Sequence, residues 1–94
     1  MQYTVEITRR AQRELTKLQM SDFQRISEAI KGLEDNPRPK GVRKLRGSIY
    51  RVRIGDWRII YSVFDKDKLV VVGKVARRSK DTYNRVDELF EHLP

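Results

Sequence analysis

The chain has 94 residues, 38% hydrophobic and 36% charged, and its 21 Lys+Arg against 13 Asp+Glu leave a formal charge of +8 at pH 7. That length supports one domain and one core, and the longest aliphatic run, Leu69-Val70-Val71-Val72, is far too short to span a bilayer. With no cysteine and one histidine, His92, there is no disulfide, no thiolate metal site and little support for a histidine-based centre or triad. The expectation is therefore a single domain over 1–94, cytoplasmic, with no secretory signal, no membrane contact, no metal and no cofactor.

The elements follow in order. Residues 2–8 alternate, with Tyr3, Val5 and Ile7 on one side, which predicts a half-buried strand. Thr8 is placed to cap a short helix with Ala11, Leu15 and Leu18 on one face. Ser21-Asp22-Phe23-Gln24 has the spacing of a capping box, and Phe23, Ile26, Ile30 and Leu33 form the apolar stripe of a second helix ended by Asn36-Pro37. His92 reads as a solvated helix-end residue.

The central stretch, Tyr50 to Tyr61, alternates on both sides of Gly55-Asp56. A two-residue loop there pairs Ile54 with Trp57 and Arg53 with Arg58. Arg51, Arg53 and Arg58 then share one face, and Tyr50, Val52, Ile54, Trp57, Ile59 and Tyr61 the other. Like charges facing one another destabilise a sheet, so such a cluster is either a solvated face or a site for a phosphodiester, which would neutralise it. Asp65-Lys66-Asp67-Lys68 predicts a turn, and Leu69 to Ala76 the next antiparallel strand. If Phe64 pairs with Leu69, Gly73 falls opposite Ile60, either leaving room for a close approach to the backbone or marking a bulge that keeps Lys74 off the apolar face. Asp81 or Thr82 can open a last helix with Val86, Leu89, Phe90 and Leu93 on its apolar face. The fold class is α+β, in the order β-α-α-β-β-β-α, an antiparallel sheet with two N-terminal helices on one face and a C-terminal helix.

Charge is concentrated rather than spread. Eight bases and one acid lie between Arg38 and Arg58, four bases and no acid between Lys74 and Lys80, and the segment from Asp81 to Pro94 is net −3. Such a distribution points first to nucleic acid and then to an acidic protein partner.

Lys44-Leu45-Arg46-Gly47, the hairpin Tyr50 to Tyr61, and Ala76-Arg77 followed by Tyr83 together resemble the RelE-type toxins of the RelE/ParE superfamily, over nearly the whole chain. The resemblance implies ribosome-dependent cleavage of mRNA without a metal, by attack of a ribose 2′-oxygen on the adjacent phosphate. It also implies a cognate antitoxin, RelB-like or another small DNA-binding protein. Arg58 and Arg77 match the phosphate-stabilising positions, Arg53 a second phosphate contact, and Tyr83 a residue that orients the 2′-hydroxyl or stacks on a base. Arg51 and Arg53 stand where the best-known members carry lysine. Arginine effectively cannot lose its proton, so Arg51 is expected to act electrostatically, with Tyr83, Lys80 and Asp81 left as candidates for proton transfer. The basic residues Arg38, Lys40, Arg43, Lys44 and Arg46, with Arg78 and Lys80, are expected to follow RNA or the ribosome through phosphate contacts, or to join the antitoxin interface. The alternatives are a ParE-like inhibitor of gyrase and an RNA-binding domain without catalysis.

Overall fold

The computed structural model of the chain describes residues 2–79, 83 and 85–90. Strand β1 (Thr4–Ile7) leads into helices α1 (Arg9–Thr16) and α2 (Met20–Gly32), and strands β2 (Arg43–Arg46), β3 (Ile49–Ile54), β4 (Trp57–Phe64) and β5 (Leu69–Arg77) follow. A 3-10 turn, Asp65–Asp67, joins β4 to β5, and another covers Val86–Phe90. No helix among the described residues is long and apolar enough to cross a membrane.

The sheet order is β1-β5-β4-β3-β2. Two features depart from the sequence expectation. β1 joins the sheet parallel to β5, at its edge, pairing Thr4 with Leu69 and Ile7 with Val72. Alternation alone is the same for either strand direction, whereas the two helices that follow β1 return the chain to the other end of the sheet before it re-enters. The basic run over 43–46 is a fifth strand, antiparallel to β3. It carries one apolar residue, Leu45, and so lacks the hydrophobic signature of a strand.

Both helices pack on one face. Ala11 and Leu15 of α1 and Ile26 and Ile30 of α2, with Leu33 just beyond it, meet Val52, Ile59, Tyr61, Val63, Val70, Val72 and Val75 of the sheet. Thr8 caps α1 as expected, its hydroxyl accepting from the Ala11 N–H at 3.2 Å. The capping box of α2 does not form. The helix begins earlier, with Gln19 at the cap position and no side-chain cap bond, and Asp22 pairs with Arg25 one turn on. Phe23, expected in the core stripe, is 40% exposed. α1 also closes the edge of β5 beyond the end of β1: the Thr8 N–H bonds the Val72 carbonyl, and Glu14 accepts from the Val75 N–H at 2.8 Å. Those edge groups would otherwise be left unsatisfied beneath the helix.

The opposite face carries a smaller apolar patch, Ile49, Ile60 and Val86, with Leu45, Leu89 and Phe90 against it. β4 is thus covered on both sides, which explains its unbroken buried run from Arg58 to Val63. The expected C-terminal helix is a 3-10 turn where it is described, preceded by Arg85 at φ 54°. Asp81, Thr82, His92 and Leu93 lie outside the described residues.

The Gly73 alternatives prove to be one feature. Pairing runs without interruption from Phe64↔Leu69 to Tyr61↔Val72, then shifts so that Ile60 meets Lys74. Gly73 is the extra residue of a β-bulge. A Cβ placed on it would lie 2.8 Å from the Phe90 ring, so the missing side chain also lets the C-terminal turn close onto the strand.

Candidate nucleic-acid interface

The hairpin forms as its sequence demands. Ile54 pairs with Trp57 and Arg53 with Arg58, around Gly55 at φ 60°, a left-handed conformation that glycine adopts without steric cost. Arg53 and Arg58 are thereby set side by side on the face away from the helices. Next along β3, Arg51 lies opposite Arg43 of β2, which adds a fourth guanidinium. Arg46, opposite Ile49, continues the same face.

Two of these groups are buried. Arg51 is 5% exposed and Arg58 6%. Burial pulls the Arg51 guanidinium below arginine's ordinary range; the nearby Tyr83 opposes this, and the charges of Arg53, Arg43 and Arg58 add to it. Arg58 donates through Nη1 to the carbonyls of Gly55 at 3.1 Å and Trp57 at 3.0 Å. The Asp56 carbonyl between them accepts from the backbone N–H of Arg78 at 2.9 Å. Three successive carbonyls of the turn are therefore held by two arginines.

An open cleft of about 590 Å³ lies over this face, lined by Arg53, Arg58, Arg78, Ser79 and Tyr83. Among the described residues its lining holds three cations, two hydroxyls and no carboxylate. A second hollow, about 330 Å³, continues along Leu45, Arg46, Tyr83, Arg85 and Val86, so Tyr83, 38% exposed, stands between the two. Guanidinium forks and hydroxyl donors that converge in this way suit a phosphodiester. Among the described residues no group of three or more histidines, cysteines or carboxylates is placed to hold a metal ion.

The structure does not gather every residue named from the sequence. Arg51, Arg53, Arg58 and Tyr83 come together, and Arg43, Arg46 and Arg78 join them. Arg77 pairs with Trp57, on the helix-facing side, and its guanidinium lies 4.7 Å from the indole centroid. Lys44 pairs with Tyr50 and so faces the helix side too; Lys40 is exposed in the preceding loop. Arg38 is occupied elsewhere. It makes two bonds to the Asp65 carboxylate, at 3.1 and 2.7 Å, and one to the Tyr50 hydroxyl at 3.1 Å. Lys80 lies outside the described residues. Ser79 was not anticipated, and a lone serine in a basic run gives no sequence signal. Arg43's place beside Arg51 would have followed from reading 43–46 as a strand.

Known proteins share this fold. The family described as ParE toxin of type II toxin–antitoxin system, parDE, matches residues 5–82. The curated RelE1 protein of Methanocaldococcus jannaschii is 37% identical over 83 residues, which cover 83% of this chain and 92% of that one. The toxin subunit fold recurs in the archaeal RelE–RelB complex of Pyrococcus horikoshii, with a TM-score of 0.78 and 36% identity over 85% of this chain and 99% of that one. It recurs again in the RelBE2 toxin–antitoxin complex of Mycobacterium tuberculosis, with a TM-score of 0.73 and 28% identity over 83% and 100% of the two chains.

Proposed function

The chain belongs to the RelE/ParE family of type II toxins, and from that premise we propose that it is a ribosome-dependent mRNA endoribonuclease, held inactive by a cognate antitoxin as its relatives from Pyrococcus and Mycobacterium are held in complexes. The observation that carries the reading is the cleft itself: Arg53, Arg58 and Arg78 converge beside Tyr83, with no carboxylate among the described residues of the lining.

In the proposed reaction the 2′-oxygen loses its proton and bonds to the adjacent phosphorus. The bond from phosphorus to the 5′-oxygen breaks, and that oxygen takes up a proton. The products are a 2′,3′-cyclic phosphate and a free 5′-hydroxyl. The charge that builds on the phosphoryl oxygens falls to Arg58 and its neighbours, whose donors are fixed before substrate arrives. Arg51, buried and cationic, stabilises the 2′-alkoxide as it forms. Tyr83 orients the ribose or stacks on a base. Ribosomal RNA phosphates are followed by the exposed arginines of β2, Arg43 and Arg46.

The test uses ribosomes programmed with a defined message. The protein is treated with EDTA beforehand, and magnesium is supplied afterwards for the ribosome alone. Cleavage should persist and leave a 2′,3′-cyclic phosphate upstream. A 5′-phosphate on the downstream fragment would exclude 2′-oxygen attack. Because the matching family is described by the name ParE, DNA supercoiling by gyrase is measured in parallel; inhibition there, with message left intact, would select the gyrase reading instead.

A further inference from the structure

We propose that Arg78, and not Arg77, brings the guanidinium at the end of β5 to the scissile phosphate, and that Arg77 is a positioning residue acting through Trp57. This rests on the ribonuclease reading and names the residue that serves it.

The bulge at Gly73 carries the argument. From Phe64↔Leu69 to Tyr61↔Val72 the pairing is regular. Continued without a bulge, it would set Arg58 opposite Val75 and place Arg77 on the face of Arg58. The extra residue reverses the phase of everything after it. Arg58 instead meets Ala76, and Trp57 meets Arg77. Two residues beyond Lys74 and two before Arg78, Ala76 marks the phase in which β5 faces the cleft.

Three contacts fit this phase. Arg77 stacks on Trp57, which packs against the helix-side core. Arg78 lines the cleft with Arg53, Arg58, Ser79 and Tyr83. Its backbone N–H is bonded to the Asp56 carbonyl, between the two carbonyls that Arg58 binds. The backbone that bears Arg78 is thus fixed to the same turn as the Arg58 guanidinium, so the two cations are set relative to one another before a phosphate enters. Preset donors of this kind are the ones that stabilise a transition state without reorganisation.

Single-turnover cleavage on programmed ribosomes is compared for Arg77→Ala, Arg77→Lys, Arg78→Ala and Arg78→Lys. Arg78→Ala should lose about 10²–10³ in rate, as removal of one transition-state donor does. Trp57, the one tryptophan of the chain, reports the other role. Arg77→Ala should alter its emission and quenching and cost about tenfold or less in rate, with Arg77→Lys restoring both, since either cation stacks on an indole. Arg78→Ala should leave that emission unchanged. The proposal is overturned if Arg77→Ala loses as much rate as Arg58→Ala without rescue by lysine while Arg78→Ala stays near wild type. A second measurement needs no cleavage: the arginine Nε–H resonances are followed as a short RNA with 2′-deoxy sugars is added. A shift at Arg78 with Arg77 unmoved supports the assignment; a shift at Arg77 alone, or at neither, defeats it. Wild-type protein that binds this RNA but cuts no message would defeat the ribonuclease reading and leave the arginine assignment to the resonances.

Discussion

The two ends of the sheet treat arginine in opposite ways. Beside the turn from β4 to β5, Arg38 is matched on every side: Asp65 takes two of its donors, Tyr50 a third, and Tyr3 adds its hydroxyl to the same carboxylate at 2.7 Å. At the β3–β4 turn, the bonds of Arg58 among the described residues go to backbone carbonyls, and Arg51 is buried beside Arg53, Arg43, Arg58 and Tyr83. The first arrangement completes itself within the chain. The second concentrates positive charge on one face among the described residues, and composition could locate the charge but not sort one arrangement from the other.

The contrast breaks most visibly at Arg58. Arg58→Ala removes a proposed phosphate donor and two bonds to the hairpin turn, so single-turnover cleavage should fall by at least about 10²–10³. Circular dichroism should still report a folded sheet. Arg58→Lys keeps the charge but not the fork, and should recover only part of the rate. Normal cleavage by the alanine variant would remove Arg58 from the site.

Arg51 sharpens the difference in another way. Its guanidinium stays charged throughout the working pH range, and burial opposes that charge. Replacing a buried charge by an apolar side chain of similar size is often neutral or stabilising. Arg51→Met should therefore unfold no earlier than wild type on heating, yet cut about 10–10² times more slowly if its charge serves the transition state. Arg51→Lys should retain appreciable activity. A fall in Tm with unchanged rate would make Arg51 a structural residue.

Gly73→Ala tests the bulge that sets the phase of β5. Its Cβ would meet the Phe90 ring at 2.8 Å and Leu89 Cβ at 3.2 Å. The end of a ring can yield, so a cost near the lower part of the ~1–3 kcal/mol overpacking range is expected, or a Tm lower by about 4–8 °C. An unchanged Tm would mean that the C-terminal turn does not press on this strand.

The smallest effect belongs to the matched end. Arg38, and then Tyr3, hold the Asp65 carboxyl down to about 2 from its ordinary 3.8. A depressed carboxyl stabilises the fold above its unfolded pKa, and that contribution is lost as pH falls from about 4 toward 2. Because Asp65 is largely exposed, solvent screens the pair. Asp65→Asn should lower Tm slightly at neutral pH, and the two proteins should converge in acid. A difference that widens in acid would reverse the sign of this linkage.

Much of the fold was legible because its signals are local. Gly55-Asp56 sets the register from Ile54↔Trp57 onward, and Thr8 announces α1 by its own hydroxyl. What escaped depends on distant partners. Residues 43–46 become a strand only because β3 offers an edge, and β1 runs parallel to β5 only because of how the helices return. Of the site, Arg51, Arg53 and Arg58 followed from alternation. Arg77 and Arg78 could not be told apart that way, since one inserted residue at Gly73 exchanges their faces. Arg38 looked like part of a basic surface because its acid, Asp65, is 27 positions away.

The burial of β4 on both faces has a consequence for control. Central strands of this kind exchange their amide hydrogens slowly and open only with the whole domain. Arg58 sits on that strand, and Arg53 is paired to it from β3. Two of the three arginines described in the cleft, Arg53 and Arg58, are therefore mounted on the part of the molecule least able to loosen by itself. Melting of β4 by itself then offers no route to a half-active state, and the proposed activity would be held in check by covering the cleft far more readily than by softening the strand beneath it. Deuterium uptake should remain slowest along β4 whether the cleft is open or covered, with any protection on covering confined to its rim.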